Sequence, residues 1–380
     1  MRKQIVSTSL IWQIAFFCAV VYGAAVAVQN VEANLARAGI AVSFSFMNSQ
    51  AGFDISESLI EVSSSSSYAR VFMAGVLNTL MLSAVCIAGA TLIGVVMGVL
   101  RASTHALGTR VAHLYIELMR NLPKLLILLA LFLAVINALP PVRQSWSVLD
   151  TIYVSNRAIY FPTLDASSGT RLLLVLGPLW LVGVLIGRRL AKRWQDRTGK
   201  VIPVVWPMSL AVLLILVGTA AFGLVRFPIS HPELRGFDFQ EGGRLSIQFV
   251  VLAAALSIYH GGQVAELVRG AIEAVPSGQS EAAKASGLNF VQRMRLVVLP
   301  QAVRVIVPPM GNQYLNITKN TSIGLAVGYS DLVSVMTTSI NQTFRPIELM
   351  SLSMCIYLSI CLTVSLLVNL YNRHIALKGR

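Results

Sequence analysis

Two groups of residues have types and spacings that suit particular chemistry. The first runs Ala265-Glu266-Leu267-Val268-Arg269-Gly270, then Pro276-Ser277-Gly278-Gln279-Ser280-Glu281-Ala282-Ala283, then Gly287, and closes on Leu299-Pro300. Pro276 breaks a preceding helix and Ser277 or Ser280 is placed to cap a new one. Glu281 would then fall in its first turn, where the helix dipole favours a carboxylate, and Gly287 can end it in a left-handed conformation. Ala282, Ala283 and Ala285 keep the side chains small, so another protein's surface can approach closely. That is docking chemistry rather than catalysis; the competing reading is an ordinary loop whose alanines merely favour helix. The second group is Arg304, Asn312, Gln313 and Asn316 at helix-compatible intervals, followed by Lys319, Thr321 and Ser322, inside an otherwise apolar run. An arginine in hydrocarbon is costly and belongs against protein or a water-filled path. The alternative for these polar residues is hydrogen bonding that ties helices together.

The elements that must position both groups are membrane spans. Hydrophobic residues make up 55% of the 380 and charged residues only 12%, about half the charged share of a soluble domain; the mean hydropathy is +0.70. A spanning helix needs about 20 apolar residues, and eight runs meet or approach that length: 10–28, 74–100, 121–139, 172–187, 202–225, 247–268, 295–317 and 349–371. The run from Leu10 to Val28 follows Met1-Arg2-Lys3 and resembles a signal peptide, but its length favours a retained helix. With the N-terminus inside, basic residues outside the spans fall on the inner face about twice as often as on the outer, so both termini are expected in the cytoplasm. The excess of basic residues, 30 against 16 acidic, is therefore a topology signal and not a nucleic-acid footprint. Arg188 to Lys200 carries six of them and reads as a solvated face beside anionic lipid headgroups. Gln29 to Arg70 reads as an outer polar connection, a mobile loop or a short surface helix.

Several chemistries lack their residues. There is no GxxxxGK[ST], HExxH or GxSxG motif, so the chain reads as no enzyme, with no metal site and no cofactor of its own. Cys18, Cys86, Cys355 and Cys361 have no ligand spacing and read as small buried hydrophobes. His105, His113, His231, His260 and His374 show no grouping and read as surface or interfacial. Gly89, Gly94 and Gly98 read as a close-packing row. No internal repeat is evident, which weakens a secondary-transporter reading.

Glu281-Ala282-Ala283, Gly287 and the Leu299-Pro300 that follows resemble the EAA loop of ATP-binding-cassette importer permeases. The flanking Glu266, Arg269-Gly270 and Gly278-Gln279 narrow the resemblance to the polar amino acid permeases. Upstream, Asn78-Thr79 and Glu117-x-x-Arg120-Asn121-x-Pro123 are similar to that family's first half; downstream, Pro308-Pro309, Asn312, Lys319, Thr321-Ser322 and Gly328 to Leu332 are similar to its last part. The chain looks like the permease of a general L-amino-acid importer over roughly residues 70–372.

The resemblance implies an all-α integral membrane protein with the type I ABC importer permease fold and about eight transmembrane helices. It divides the chain into 1–70, an N-terminal helix and periplasmic connection; 71–372, the permease domain; and 373–380, a cytoplasmic tail. It implies cytoplasmic ABC ATPase subunits that bind ATP and magnesium, a second homologous permease forming a heterodimer, a periplasmic amino-acid-binding protein, and residence in a bacterial inner membrane. Carried onto this chain, Glu281, Ala282, Ala283, Gly287, Leu299 and Pro300 would couple to the ATPase. An amino acid needs a cation or donor for its carboxylate and an acceptor for its ammonium. Arg304, Asn312, Asn316, Lys319, Thr321 and Ser322 are the candidates along its path. An ion-coupled secondary transporter is the alternative. Two departures stand out. Where relatives read Pro-Leu-Leu-x-Gln-Leu, this chain has Pro123-Lys124-Leu125-Leu126-Ile127-Leu128, and about a hundred residues, 141–245, are inserted with two extra spans.

Overall fold

The computed structural model describes residues 2–37, 42–103, 105–164, 168–199, 203–222 and 229–375. The first helix, α1 (Arg2–Arg37), has an apolar window over Leu10–Leu35 of which none is buried against the rest of the chain. The segment that follows is an ordered strap rather than a mobile loop or surface helix. Ala51 and Gly52 donate backbone hydrogen bonds to Ser66 and Ser64 at 2.8 and 3.0 Å. Phe46 and Ala51 are buried with Tyr68 and Phe72 of the next helix, because this polar-looking stretch carries aromatic anchors between its serines.

Ser67 caps α2 (Tyr68–Arg101), which is followed by α3 (Ala106–Asn121) and α4 (Lys124–Ala138). α3 and α4 meet at 106°. Pro123 forces that break, since the residue before a proline is driven out of the helical region; Leu122 is extended, with ψ 137°. The expected span 121–139 is thus the second arm of a broken pair, and α3 was not foreseen.

The insertion holds more than two helices. Strands β1 (Trp146–Val148), β2 (Ile152–Val154), β3 (Ala158–Phe161) and β4 (Thr163–Leu164) precede α5 (Ser168–Thr198) and α6 (Val205–Ala221). Strands β5 (Ile229–Ser230), β6 (Glu233–Arg235), β7 (Asp238–Gln240) and β8 (Gly243–Ser246) follow. β8 pairs antiparallel with β3, Ala158 opposite Ser246 and Phe161 opposite Gly243, completing the sheet β1-β2-β3-β8. The excursion therefore leaves and returns at one place, which is how the helical core accepts so long an insertion. The spans are helical as expected; the strands are too short and too mixed in polarity to stand out in the sequence.

Ser246 caps α7 (Ile247–Glu273), the most buried span. Then come α8 (Ser277–Ala285), α9 (Phe290–Arg293), a π turn over Met294–Val298, α10 (Leu299–Asn320), a 3-10 stretch Thr321–Val327, α11 (Leu332–Thr343) and α12 (Pro346–Ile375). Helices occupy all eight expected positions. By length and apolarity alone, α1, α2, α7 and α12 qualify as spans, and two more arise if the bent pair α3–α4 and the bent run 291–343 each count as one. Among the described residues, the apolar part of α6 is shorter than a full span.

α2 and α7 form the principal seam, and the glycine row sets its closeness. A Cβ at Gly98 would sit 2.5 Å from Val268 Cβ and 2.7 Å from the Ala265 carbonyl oxygen, so only glycine fits. Leu82 and Cys86 of α2, Leu128 of α4, Leu252 and Leu256 of α7 and Ile317 of α10 form the main apolar core. Of the four cysteines only Cys86 is buried; Cys18 and Cys355 are exposed and Cys361 half-buried, since their helix faces are not packed against the rest of the chain.

Candidate functional site: a docking helix and the open face of the helix behind it

α8 is the expected short helix, with two corrections. Its N-cap is Pro276 with no side-chain cap from Ser277 or Ser280, and Glu281 lies in the second turn rather than the first. The far end is as expected: Gly287 has φ +80°, its N–H bonds the Lys284 carbonyl at 3.0 Å, and the Leu288 N–H bonds that of Ala283 at 3.1 Å. This paired closure satisfies the last carbonyls of the helix and requires a left-handed residue at 287. Ala283 faces inward and is buried, while Gln279, Glu281, Ala282 and Lys284 are exposed. At the base of the loop Arg269 pairs with Glu266 at 2.6 Å and also with Glu273. Gly270 beside it is exposed, as is Arg120 on α3, and Glu117 accepts from Asn121 Nδ2 through its backbone carbonyl at 2.8 Å.

Between α8 and α10 the backbone widens into the π turn. Pro300 brings no N–H to the ladder and its ring crowds the preceding turn. Gln301 Nε2 bonds the Val297 carbonyl at 2.9 Å. Leu299 and Pro300 thus open α10 at the point where α8 is anchored to it through the π turn.

α10 has two unlike faces. Ala302, Met310, Gly311, Gln313, Ile317 and Thr318 are buried, whereas Arg304, Pro308, Asn312, Asn316 and Lys319 are exposed. Arg304, Pro308, Asn312 and Asn316 recur every four residues and Lys319 follows three further on, one stripe of a helix. Among the described residues nothing covers it, and a polar stripe on a spanning helix is not stable against hydrocarbon. Pro308 and Pro309 also deprive the carbonyls of Arg304 and Val305 of their helical donors, leaving acceptors on that side. Thr321 does not join the stripe: it is buried and donates to the Thr318 carbonyl at 2.9 Å. Ser322 turns back to the Lys319 carbonyl at 2.9 Å. The apolar crevice of about 420 Å³ between α2, α10 and α12, lined by Val95, Met310 and Val368 among others, has no charged wall and is a poor seat for a charged solute.

Asn78 and Thr79 prove to be pins. Asn78 Nδ2 bonds the carbonyls of Glu57 at 2.7 Å and Ser330 at 2.9 Å, and Thr79 Oγ1 accepts the Leu332 N–H at 3.0 Å. They hold the strap and the entry to α11 against α2. Glu57 in turn accepts from the Ser246 N–H at 3.2 Å and hydroxyl at 2.5 Å, locking the strap to the start of α7.

One buried cluster escaped the sequence reading. His260 is 1% exposed, not surface or interfacial. Asn320 Nδ2 lies 3.1 Å from its Nε2, Gln263 Oε1 lies 3.2 Å from its Nδ1, and Gln313 Nε2 is 2.8 Å from that same Nδ1. A consistent proton arrangement has Asn320 donating to Nε2, with Nδ1–H and Gln313 both donating to Gln263 Oε1, the latter at 2.6 Å. Asn320 Oδ1 then accepts from Lys124 Nζ. These bonds set Lys124 level with His260. The only signal in the sequence was the i, i+3 pair His260 and Gln263 on an otherwise apolar helix.

Residues 90–377 match the family model described as the binding-protein-dependent transport system inner membrane component. The chain is 40% identical over 356 residues to YhdX of Escherichia coli K12, provisionally named an amino-acid ABC transporter permease protein, covering 92% of this chain and 90% of that one. It is 38% identical to AapQ of Rhizobium johnstonii, a general L-amino acid transport system permease protein, over 92% and 88% of the two chains. It is 36% identical to BztB of Rhodobacter capsulatus, a glutamate/glutamine/aspartate/asparagine transport system permease protein, over 92% and 89%. The short exposed helix α8 and the polar stripe behind it agree with these matches: this chain belongs to the family of inner membrane components of binding-protein-dependent transport systems, multi-pass permeases with the type I ABC importer fold.

Proposed function

We propose that this chain is one of two homologous permease subunits, forming a heterodimer, of an importer that takes up L-amino acids across a bacterial inner membrane. The observation that carries the reading is the uncovered polar stripe of α10, continuous through the π turn with the exposed helix α8. A second permease facing that stripe would enclose a polar path between the two. A cytoplasmic ATPase pair, holding ATP and magnesium, would grip α8 around Glu281, Ala282 and Gly287. Its closure would rock α10 and its packed neighbours between outward- and inward-facing states. A periplasmic binding protein would deliver the amino acid. On the stripe, Arg304, Asn312, Asn316 and Lys319 offer donors to the solute carboxylate, and the carbonyls freed by Pro308 and Pro309 offer acceptors to its ammonium. Thr321 and Ser322 stay in the second rank, since both hydroxyls are engaged with backbone carbonyls.

The ion-coupled alternative would place carboxylates at mid-membrane. Glu266 lies instead in the last two turns of α7, where it is paired with Arg269, and membership of the family does not favour that reading. The test is uptake into vesicles carrying the assembled subunits, with ATP inside or with an ion gradient alone. ATP-dependent uptake is expected; uptake driven by a gradient with the ATPase subunits left out would overturn the proposal. Glu281→Lys should leave the permease inserted and folded but remove the ATPase from copurified material.

A further inference from the structure

We infer that Lys124 is the group that receives a carboxylate of the solute as it passes the middle of the membrane. The inference rests on the import reading above and adds a residue to its path. The depth is fixed by the His260 cluster. α7 runs from Ile247 to Glu273, so His260 lies thirteen residues from either end, about 20 Å along the helix in each direction. Asn320 touches both His260 and Lys124, so the lysine sits at that same level.

A lysine there carries two costs. An ammonium in the bilayer interior is expensive and is normally paired with a carboxylate. Among the described residues, however, no carboxylate lies within ion-pair distance of Lys124, and its hydrogen-bond partner is the neutral amide of Asn320. Lys124 is also the first residue of α4, where the positive end of the helix dipole disfavours a cation. A leucine at this position would avoid both costs.

The setting is open on one side. Lys124 is half-buried, and Asn320 borders the exposed stripe of α10, one residue after exposed Lys319 and four after exposed Asn316. The side chain therefore stands at the edge of the proposed path. The Asn320 amide holds it there from one direction, and the two other N–H donors of the ammonium are left for an incoming anion. The 106° break between α3 and α4 is what delivers the residue to this depth; a continuous span would have carried position 124 elsewhere. Either the α-carboxylate shared by all amino acids or the side-chain carboxylate of an acidic one fits this chemistry.

The test uses the assembled importer in ATP-loaded proteoliposomes with its binding protein outside, comparing L-glutamine and L-glutamate. Lys124→Met is expected to lower uptake at least tenfold for both solutes if the α-carboxylate is bound, and for glutamate alone if the side-chain carboxylate is. Copurifying ATPase should be unchanged, and Lys124→Arg should keep most of the uptake. Asn320→Asp supplies a competing carboxylate without removing the lysine and should reproduce the loss. Uptake of both solutes at the wild-type rate in Lys124→Met and Asn320→Asp would overturn the inference, as would a loss in both variants that merely tracks loss of the ATPase from the complex. Wild-type uptake indifferent to ATP would instead sink the import reading itself.

Discussion

α7 and α10 are packed neighbours of 27 and 22 residues, yet they solve opposite problems. α7 is enclosed on nearly every side, and its histidine finds partners on α7 itself and on α10. α10 shares half of that enclosure and leaves a polar stripe facing away from the chain. α7 is the fixed member around which α2, α3, α4 and α10 are assembled. α10 has one face built for packing and one for something this chain does not supply. α10 also follows the exposed helix α8 through α9 and the π turn, so under the proposed function it is the helix placed to move.

Substitutions can break that contrast, and the largest effect on folding should come at the α7 seam. Gly98→Leu forces a side chain into space held by Val268 and the Ala265 backbone, and should cost about 3 kcal/mol or more. The yield of folded protein in detergent and its melting temperature would report it; an unchanged melt would mean the α2–α7 seam is looser than the structure has it. Next, His260→Ala leaves Asn320 and Gln263 short of a partner, an expected loss of about 2 kcal/mol. His260→Gln should recover part of it in the same melt, because an amide can still donate and accept.

Smaller again is the strap. Burial raises the Glu57 carboxyl above its ordinary range, against the lowering hydrogen bonds from Ser246. A raised folded value means the folded protein holds this proton more tightly than the unfolded chain. Its contribution is therefore present at low pH and fades as pH rises through the folded value. Melts of wild type and Glu57→Gln across pH 4 to 7 should differ in slope, the wild type losing relative stability toward the upper end; parallel curves would contradict the buried placement of this carboxyl. The smallest folding effect belongs to the open stripe. Arg304→Ala or Asn316→Ala should stay within about 0.5 kcal/mol of wild type, while uptake falls several-fold. A stability loss as large as that of His260→Ala would show that the stripe is packed, and the contrast with α7 would disappear.

Local features were legible where the cause is local. The docking helix could be placed from Pro276 and Gly287 because a proline break and a left-handed terminus act within a few residues. Its capping was misjudged, since Pro276 itself takes the N-cap position and moves Glu281 one turn inward. The strap was misread because serines dominate its composition, while Phe46, Ala51 and Glu57 decide its placement. The strands of the insertion were invisible: runs of two to four residues show too little alternation, and β3 finds β8 more than eighty residues away.

The sequence by itself determined the membrane class, the helical runs and the loop that marks the family, because hydropathy and turn chemistry are properties of neighbouring residues. Which polar groups meet was decided only by the tertiary structure. Lys124, His260, Gln313 and Asn320 are separated by up to 196 residues, and on their own helices they are scattered polar positions with no shared period. The proline break between α3 and α4, and the glycine seam that draws α2 onto α7, bring them to one depth. The same packing leaves one side of α10 uncovered, since a helix has only so much circumference and α2, α7 and α12 occupy the rest.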